Sequence, residues 1–192
     1  LAASAGPVPL PEKYLAVDLS RLGQSCRCAV DGLIGADFFR NRIVQIDFSA
    51  QRIRLLNRPP HAASGEPLPL EFRRGVFQVL VTIESRRPQW MRLDTGCASP
   101  LEWVVGRSGE RGDSNKISVG LAETRIPQAP IRVLLGNLEF ENVSAGLHER
   151  ELFPSESGLL GNGLLSRFAS ITIDSNSRRL ILGPLPHPTS EE

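Results

Sequence analysis

Short stretches of alternating apolar and polar residues recur along the chain. They lie at residues 76–83, 90–93, 117–122, 131–135 and 138–143. Because successive side chains of a strand point to opposite faces, a period of two is typical of half-buried β-strands. Gly136 and Asn137, between two of these stretches, are a tight hairpin signal, and residues 85–89 predict another turn. No long stretch has helical periodicity, so the pattern predicts a mainly β protein with many short strands.

The chain also contains an internal repeat, with one copy at residues 31–55 and the other at 157–182. Each copy runs through Gly, two aliphatic residues, Gly, a short apolar segment, a strand ending in Ile-Asp, a turn and a closing strand. The second copy is one residue longer between its Gly and its Asp. The corresponding positions are Gly32, Gly35 and Asp47 in the first copy and Gly158, Gly161 and Asp174 in the second.

Each copy predicts the same local structure. The two aliphatic residues and the Gly that follows predict a buried strand that ends where another backbone comes close. Phe38-Phe39 and Leu164-Leu165 predict a short helical turn that packs inward. The alternation before the Asp and the polar turn after it predict a β-hairpin at the end of each copy.

The segment between the copies, residues 57–67, is rich in Pro, Gly and Ser and is interpreted as a linker. The predicted organisation is therefore a first unit at 1–56, the linker at 57–67 and a second unit at 68–192. The two hairpins make the units related in fold, but only the second contains all the predicted strands.

Composition excludes several classes of function. The 22 Lys and Arg balance 21 Asp and Glu without a long basic run, so we expect no nucleic-acid partner. No apolar stretch reaches the roughly 18 residues that a membrane span needs, and no signal-peptide pattern opens the chain. Three cysteines (Cys26, Cys28 and Cys97) and scattered histidines lack metal-ligand spacing, so we expect no metal site.

The strongest candidate for chemistry is Asp94-Thr95-Gly96, at the end of an apolar strand and before a turn of small residues. The tripeptide alone is weak evidence, because a capping or turn aspartate is the ordinary interpretation. Cys97, which follows it, is expected to be a small buried thiol rather than a nucleophile, since no histidine has an evident reason to lie nearby.

The order of the predicted elements makes Asp94-Thr95-Gly96 stronger evidence for a functional site. A hairpin, Leu-Asp-Thr-Gly, further strands, the hairpin at 136–137 and then Gly-Leu-Leu-Gly resemble the retropepsin-like aspartic proteases, whose two-lobed cousins are the pepsins. The resemblance covers about 70–183 as one complete, closed, β-barrel-like lobe and about 8–56 as the back part of a second lobe of the same fold.

The resemblance implies roles for particular residues. Asp94 would be catalytic, Thr95 would lock two active-site loops together, and Gly96 would permit the tight turn. Residues that would support the active-site loop are Leu159, Leu160 and Gly161, and in the first copy Leu33, Ile34 and Gly35. The implied activity is an aspartic endopeptidase that acts on a peptide or protein substrate and needs no cofactor or metal.

In an aspartic protease, two aspartates share a proton and activate a water molecule, so one aspartate is not enough. The sequence contains only one Asp-Thr-Gly. Asp94 precedes Gly158 by 64 positions (158 − 94), so the matching aspartate for Gly32 would fall at 32 − 64 = −32. Three alternatives stay open: an upstream segment supplies the second aspartate, a second copy of the chain supplies it, or the chain is a non-catalytic binding module. The other first-copy aspartates, Asp18, Asp31, Asp37 and Asp47, are interpreted as turn or strand-end residues.

Three further expectations concern the covering hairpin, Trp103 and the location of the protein. The hairpin that covers the cleft would lie around residues 109–120, which contain no aromatic residue, and Trp103 is expected in the core rather than in the cleft. Exported two-lobed relatives favour an extracytoplasmic bacterial protein.

Overall fold

The computed structural model describes residues 4–5, 8–9, 17–26, 29–62, 66–106, 113–119 and 122–185. The strands are β1 (Ser4–Ala5), β2 (Val8–Pro9), β3 (Ile43–Asp47), β4 (Arg52–Leu56), β5 (Leu68–Arg73), β6 (Val76–Ile83), β7 (Gln89–Asp94), β8 (Leu101–Val104), β9 (Asp113–Val119), β10 (Ala122–Leu135), β11 (Leu138–His148), β12 (Gly158–Gly161), β13 (Ser170–Asp174) and β14 (Arg179–Leu182). The helices are α1 (Ser20–Cys26), a 3-10 helix (Ala36–Phe39) and α2 (Asn162–Leu165). The prediction of a mainly β fold is confirmed.

Six of the strands close into a ring. They follow the order β6-β7-β12-β8-β11-β10, and β10 pairs with β6 again through Val133 and Ile83. Closed pairing leaves no free edge in this part of the protein and encloses an apolar core. Met91, Leu101 and Trp103 are fully buried in that core, as expected for Trp103.

The predicted hairpin between β10 and β11 is present. Leu135 lies opposite Leu138, so the connection is the two-residue turn at Gly136 and Asn137. Gly136 has a φ of 62°, which a two-residue hairpin turn commonly requires and which glycine adopts without a steric cost.

The two hairpins of the internal repeat lie side by side. β3 pairs with β13 in antiparallel fashion, and β4 and β14 lie on their outer sides. Gln45 of the first copy is opposite Thr172, which is the equivalent residue of the second copy. An antiparallel pair of equivalent strands centred on equivalent residues has local two-fold symmetry.

The end of the first hairpin confirms the interpretation of Asp47 as a turn residue. The Asp47 carboxylate accepts a hydrogen bond from the Ala50 backbone N–H at 2.9 Å. The equivalent Asp174 carboxylate accepts two, from the N–H groups of Asn176 and Ser177 at 3.1 and 3.0 Å. Both side chains therefore stabilise the turns of their own hairpins.

The helical turns of the repeat are also present, and both pack inward as predicted. Phe38 of the 3-10 helix is buried, and Leu164 and Leu165 of α2 are fully buried. The helix at Ser20–Cys26 was not predicted from the sequence. It is short, and its first N–H groups are partly satisfied by the Asp18 carboxylate, which accepts a bond from the Ser20 N–H at 2.9 Å.

One prediction about the repeat is wrong. Leu33 and Ile34 do not form a buried strand: they lie in irregular backbone and are 67% and 52% exposed. Their counterparts Leu159 and Leu160 are 3% and 0% exposed, because β12 lies between β7 and β8. No strand in the described ranges flanks residues 32–35, so the same sequence pattern has no partners there.

The segment between the repeats is irregular wherever it is described, and residues 63–65 lie outside the described part. No helix among the described residues is both long and apolar enough to cross a membrane.

Candidate active site

Asp94 is the last residue of β7, where the chain leaves the sheet. Its Oδ1 accepts a hydrogen bond from the Gly96 N–H at 3.0 Å, and its backbone carbonyl accepts one from the Cys97 N–H at 3.2 Å. These bonds fold residues 94–100 into a compact segment, here called the Asp94 turn. The hydrogen bond from Gly96 fixes the Asp94 carboxylate. Asp94 is only half-buried, so part of it is still accessible from outside.

The Asp94 turn is held from its side by β12 and the residue after it. Gly161 lies opposite Asp94 in the parallel pairing of β12 with β7. The Gly161 N–H donates to the Pro100 carbonyl at 3.1 Å, and the Asn162 N–H donates to the Cys97 carbonyl at 2.7 Å. The predicted supporting segment of Leu159, Leu160 and Gly161 therefore contacts the turn directly.

Close backbone approach explains why glycine occupies this position. A Cβ atom on Gly161 would overlap the Ser99 carbonyl oxygen and lie 2.9 Å from the Cys97 carbonyl oxygen. Backbone atoms cannot move aside as a flexible side chain can, so any larger residue would displace the turn.

Cys97 lies inside the Asp94 turn and is a free thiol. Burial raises the pKa of Cys97 from its ordinary value of 9.0 to about 11, and the negative charges of Glu102 and Asp94 act in the same direction. Since the thiolate is the reactive form, the thiol is unreactive at neutral pH. The interpretation of Cys97 as a small structural thiol fits these surroundings.

The remaining predicted site residues have different surroundings. Thr95 is half-buried, and within the described ranges its hydroxyl makes no hydrogen bond. Gly96 is exposed. Leu33, Ile34 and Gly35 are not packed between strands, so among the described residues they form no structure like that around Leu159–Gly161.

The hairpin expected to cover the cleft is only partly described. β9 pairs with the first half of β10, with Ala122 opposite Val119. Residues 107–112, 120 and 121 lie outside the described part of the chain. In the ranges that are described, no group of three metal-ligating side chains comes together.

Two buried pairs of polar side chains near the site, one of them a salt bridge, were missed in the sequence. Arg92 makes a bidentate pair with Glu156, with both N···O distances 2.8 Å, and its guanidinium stacks on Phe153 at 3.5 Å. Glu102 pairs with His148 at 2.7 Å. The available signal was a charged residue inside the apolar strand at 101–104, but its partner is 46 positions away and no local spacing connects them.

Comparison with solved structures gives two similar folds. One is a retropepsin-like aspartic protease from Rickettsia conorii, with 22% sequence identity over 62% of this chain and 89% of that one, and a TM-score of 0.46. The other is an aspartic proteinase from Irpex lacteus, with 16% identity over 50% of this chain and 31% of that one, and a TM-score of 0.38. In fold, the chain is similar to aspartic proteases. No family model and no curated protein sequence matches it.

Proposed function

We propose that this protein is an aspartic endopeptidase in which Asp94 is one of two catalytic carboxylates. The observation that carries the proposal is the way backbone hydrogen bonds hold the Asp94 turn in place. The Asp-Thr-Gly turn leaves β7, and the backbone of Gly161 and Asn162 holds it through hydrogen bonds of 3.1 and 2.7 Å. This support fixes the Asp94 carboxylate at the end of β7. Catalysis by a preorganised site requires such a fixed position for the reacting group.

The chemistry needs a second carboxylate within hydrogen-bond reach of Asp94. Two such groups cannot both ionise easily, so they share one proton, and their titration belongs to the pair. The ionised member removes a proton from a water molecule, which attacks the carbonyl carbon of the peptide. The protonated member donates to the developing oxyanion of the tetrahedral intermediate.

The local two-fold symmetry supports a location for the second carboxylate. In the second copy of the repeat, the outer edge of β14 pairs with β5 through Leu180 and Leu68. In the first copy, β4 occupies the equivalent place, and no described strand pairs with its outer edge. We infer that a segment equivalent to β5–β7 pairs there and carries the second aspartate.

The exposure of equivalent apolar residues supports the same inference. Ile53 of β4 is 58% exposed, whereas the equivalent Leu180 of β14 is fully buried. Leu33, Ile34 and Leu55 are exposed in the same way. Because these four side chains are only 41–67% exposed, covering them would contribute about 1 kcal/mol each, which favours a docked segment.

An upstream segment of the same polypeptide is a better source than a second copy of this chain. The symmetry axis that relates the two hairpins passes between β3 and β13 of one chain, so the first copy of the repeat already occupies the position that is two-fold related to the second copy. A second copy of the chain would have to displace it before its own Asp94 could approach. The repeat spacing puts the upstream aspartate about thirty residues before residue 1.

The test is proteolysis by the protein with its preceding region included. We expect it to cleave an unfolded protein substrate, best at acidic pH, and the Asp94→Asn variant to lose at least about a thousandfold in kcat/KM. Asp31→Asn is the matched control, since Asp31 is exposed and outside any Asp-Thr-Gly. Full activity of Asp94→Asn would refute the proposal.

A second candidate function is a binding module with a protease-like fold. The observation that favours it is the outer edge of β4, which pairs with no strand in the described part of the chain and offers backbone hydrogen bonds to an incoming strand. This function requires no second aspartate. It would be supported if the longer protein cleaved nothing but its exposed edge bound an extended peptide.

A further inference from the structure

A buried acid and a histidine form a close pair on the strands behind the Asp94 turn. Glu102 of β8 is fully buried, and His148 at the end of β11 is 9% exposed. Glu102 Oε2 and His148 Nε2 are 2.7 Å apart, whereas Glu102 Oε1 has no partner among the described residues. Burying a carboxylate with one oxygen unpartnered is costly, so a purely apolar strand would be more stable here.

One glycine makes the space for this carboxylate. A Cβ atom on Gly146, the residue opposite Glu102 in β11, would overlap Glu102 Oε2. On the other side, a Cβ atom on Gly158 would overlap the Glu102 backbone carbonyl, so glycine there lets β12 pack closely against β8. The carboxylate therefore fits against β11 only because residue 146 has no side chain.

The pair lies on the same face of the sheet as Asp94. β12 separates β7 from β8, with Gly161 opposite Asp94 and Leu159 opposite Glu102. Residues two apart on a strand point to the same side, so Asp94 and Glu102 share a face, with their Cα atoms about 12 Å apart. Cys97 senses both carboxylates, because the charge of each raises its pKa.

The other charged groups around the pair are already matched. On β7, Arg92 is bonded through both nitrogens to Glu156 of the loop before β12, which makes that pair neutral. Leu159 on β12 is apolar and is buried between Arg92 of β7 and Glu102 of β8. Among the described residues near Asp94 on this face, the groups whose net charge can change are therefore Asp94, Cys97 and the Glu102–His148 pair.

We propose that Glu102 and His148 are positioning residues that tune the charge of the Asp94 turn. Sharing one proton, the pair has no net charge. After that proton leaves, the pair carries one buried negative charge, which opposes the ionisation of Asp94. The proposal deepens the proposed function, but its first two tests do not depend on catalysis.

The first test uses Cys97 as a reporter in the 192-residue chain with Cys26 and Cys28 replaced by serine. Glu102→Gln keeps the shape and removes the charge, so the thiolate of Cys97 forms more easily. We expect alkylation by iodoacetamide at a fixed pH near 9 to become about two- to threefold faster. His148→Gln keeps the Glu102 carboxylate, so it should leave the rate unchanged. An unchanged rate in Glu102→Gln, or equal acceleration in both variants through local opening, would overturn the proposal.

The second test leaves the pair intact. Electrostatic coupling is reciprocal, so removing the charge of Asp94 must weaken the hold of the pair on its proton. In Asp94→Asn, we expect the proton affinity of His148, followed by NMR, to fall about two- to threefold, with exposed His61 as the internal control. A His148 titration that does not move would contradict the coupling.

The third test uses the longer, proteolytic protein and rests on the proposed function. Glu102→Gln should move the alkaline limb of the pH profile of kcat/KM to lower pH. The reason is that Asp94 and the second catalytic carboxylate lose their shared proton more easily without the charge of Glu102. A merely structural role would lower activity without moving that limb. If the wild-type protein cleaves nothing, the proposed function is refuted. The role of Glu102 and His148 is still decided by the alkylation of Cys97 and the titration of His148.

Discussion

Gly158 and Gly32 are equivalent in the repeat but lie in different surroundings. Gly158 has a φ of 147°, and an added Cβ would overlap the backbone of Glu102. Gly32 has nothing within 4 Å of the same atom. The requirement for glycine is therefore a property of the neighbours, and the shared sequence pattern does not by itself impose it.

The contrast gives a matched pair of substitutions in the 192-residue chain. Gly158→Ala should lower the free energy of unfolding by about 3 kcal/mol, because backbone atoms must shift and the left-handed φ is strained. Gly32→Ala should change it by less than about 0.5 kcal/mol. Urea unfolding measures both, and equal costs would contradict the described packing.

The pKa of Cys97 predicts a pH dependence of stability. The folded pKa of about 11 lies above the ordinary value of 9.0, so the folded state holds the thiol proton more tightly than the unfolded state does. The resulting stabilisation is complete below pH 9 and is lost as the pH rises to about 11. Thermal unfolding from pH 8 to 11 should show this loss in the wild type, and Cys97→Ser should reduce it. An identical pH profile in Cys97→Ser would exclude the thiol as its source.

At the scale of single residues, the sequence was informative where chemistry is local. The turn after the strand that ends at Asp94 could be predicted because its immediate neighbours make it, and the turn role of Asp47 because that carboxylate caps its own hairpin. The catalytic role of Asp94 stays a prediction. The Glu102–His148 pair could not be predicted, since it depends on the register between β8 and β11.

At the scale of elements, the pairing of strands decided which predictions succeeded. The hairpin at Gly136 and Asn137 was predictable because the turn residues fix its register. The apolar pairs of the repeat were ambiguous, because identical patterns are buried at Leu159 and exposed at Leu33 according to whether strands flank them. Local propensity does not encode that difference.

The Arg92–Glu156 pair connects the strand that carries Asp94 to the loop before β12. Glu156→Ala would leave the largely buried guanidinium of Arg92 without its counter-ion, so we expect a loss of about 3 kcal/mol in unfolding free energy. Glu149→Ala, at an exposed position of the same loop, is the control and should be nearly neutral. Equal stabilities in urea would show that the pair does not support β7.

At the scale of the whole molecule, the two copies of the repeat differ in how complete their surroundings are. In the second copy, β12 belongs to the closed ring of strands and β14 pairs with β5, whereas β4 and residues 32–35 of the first copy present apolar side chains outward. The repeat was visible in the sequence, and the structure pairs its two hairpins through β3 and β13. Which apolar faces are covered could not be predicted, because that depends on strands far away in the chain. The division into lobes stays a prediction.

The most direct measurement is the stoichiometry of a tight-binding transition-state analogue, a peptide whose scissile bond is replaced by a hydroxyl-bearing carbon. Calorimetric titration of the longer protein should give one analogue bound per chain, and Asp94→Asn should abolish tight binding. One analogue per two chains would mean that two copies share a site, and no binding would mean that Asp94 is not part of a catalytic pair. Either result would contradict the account.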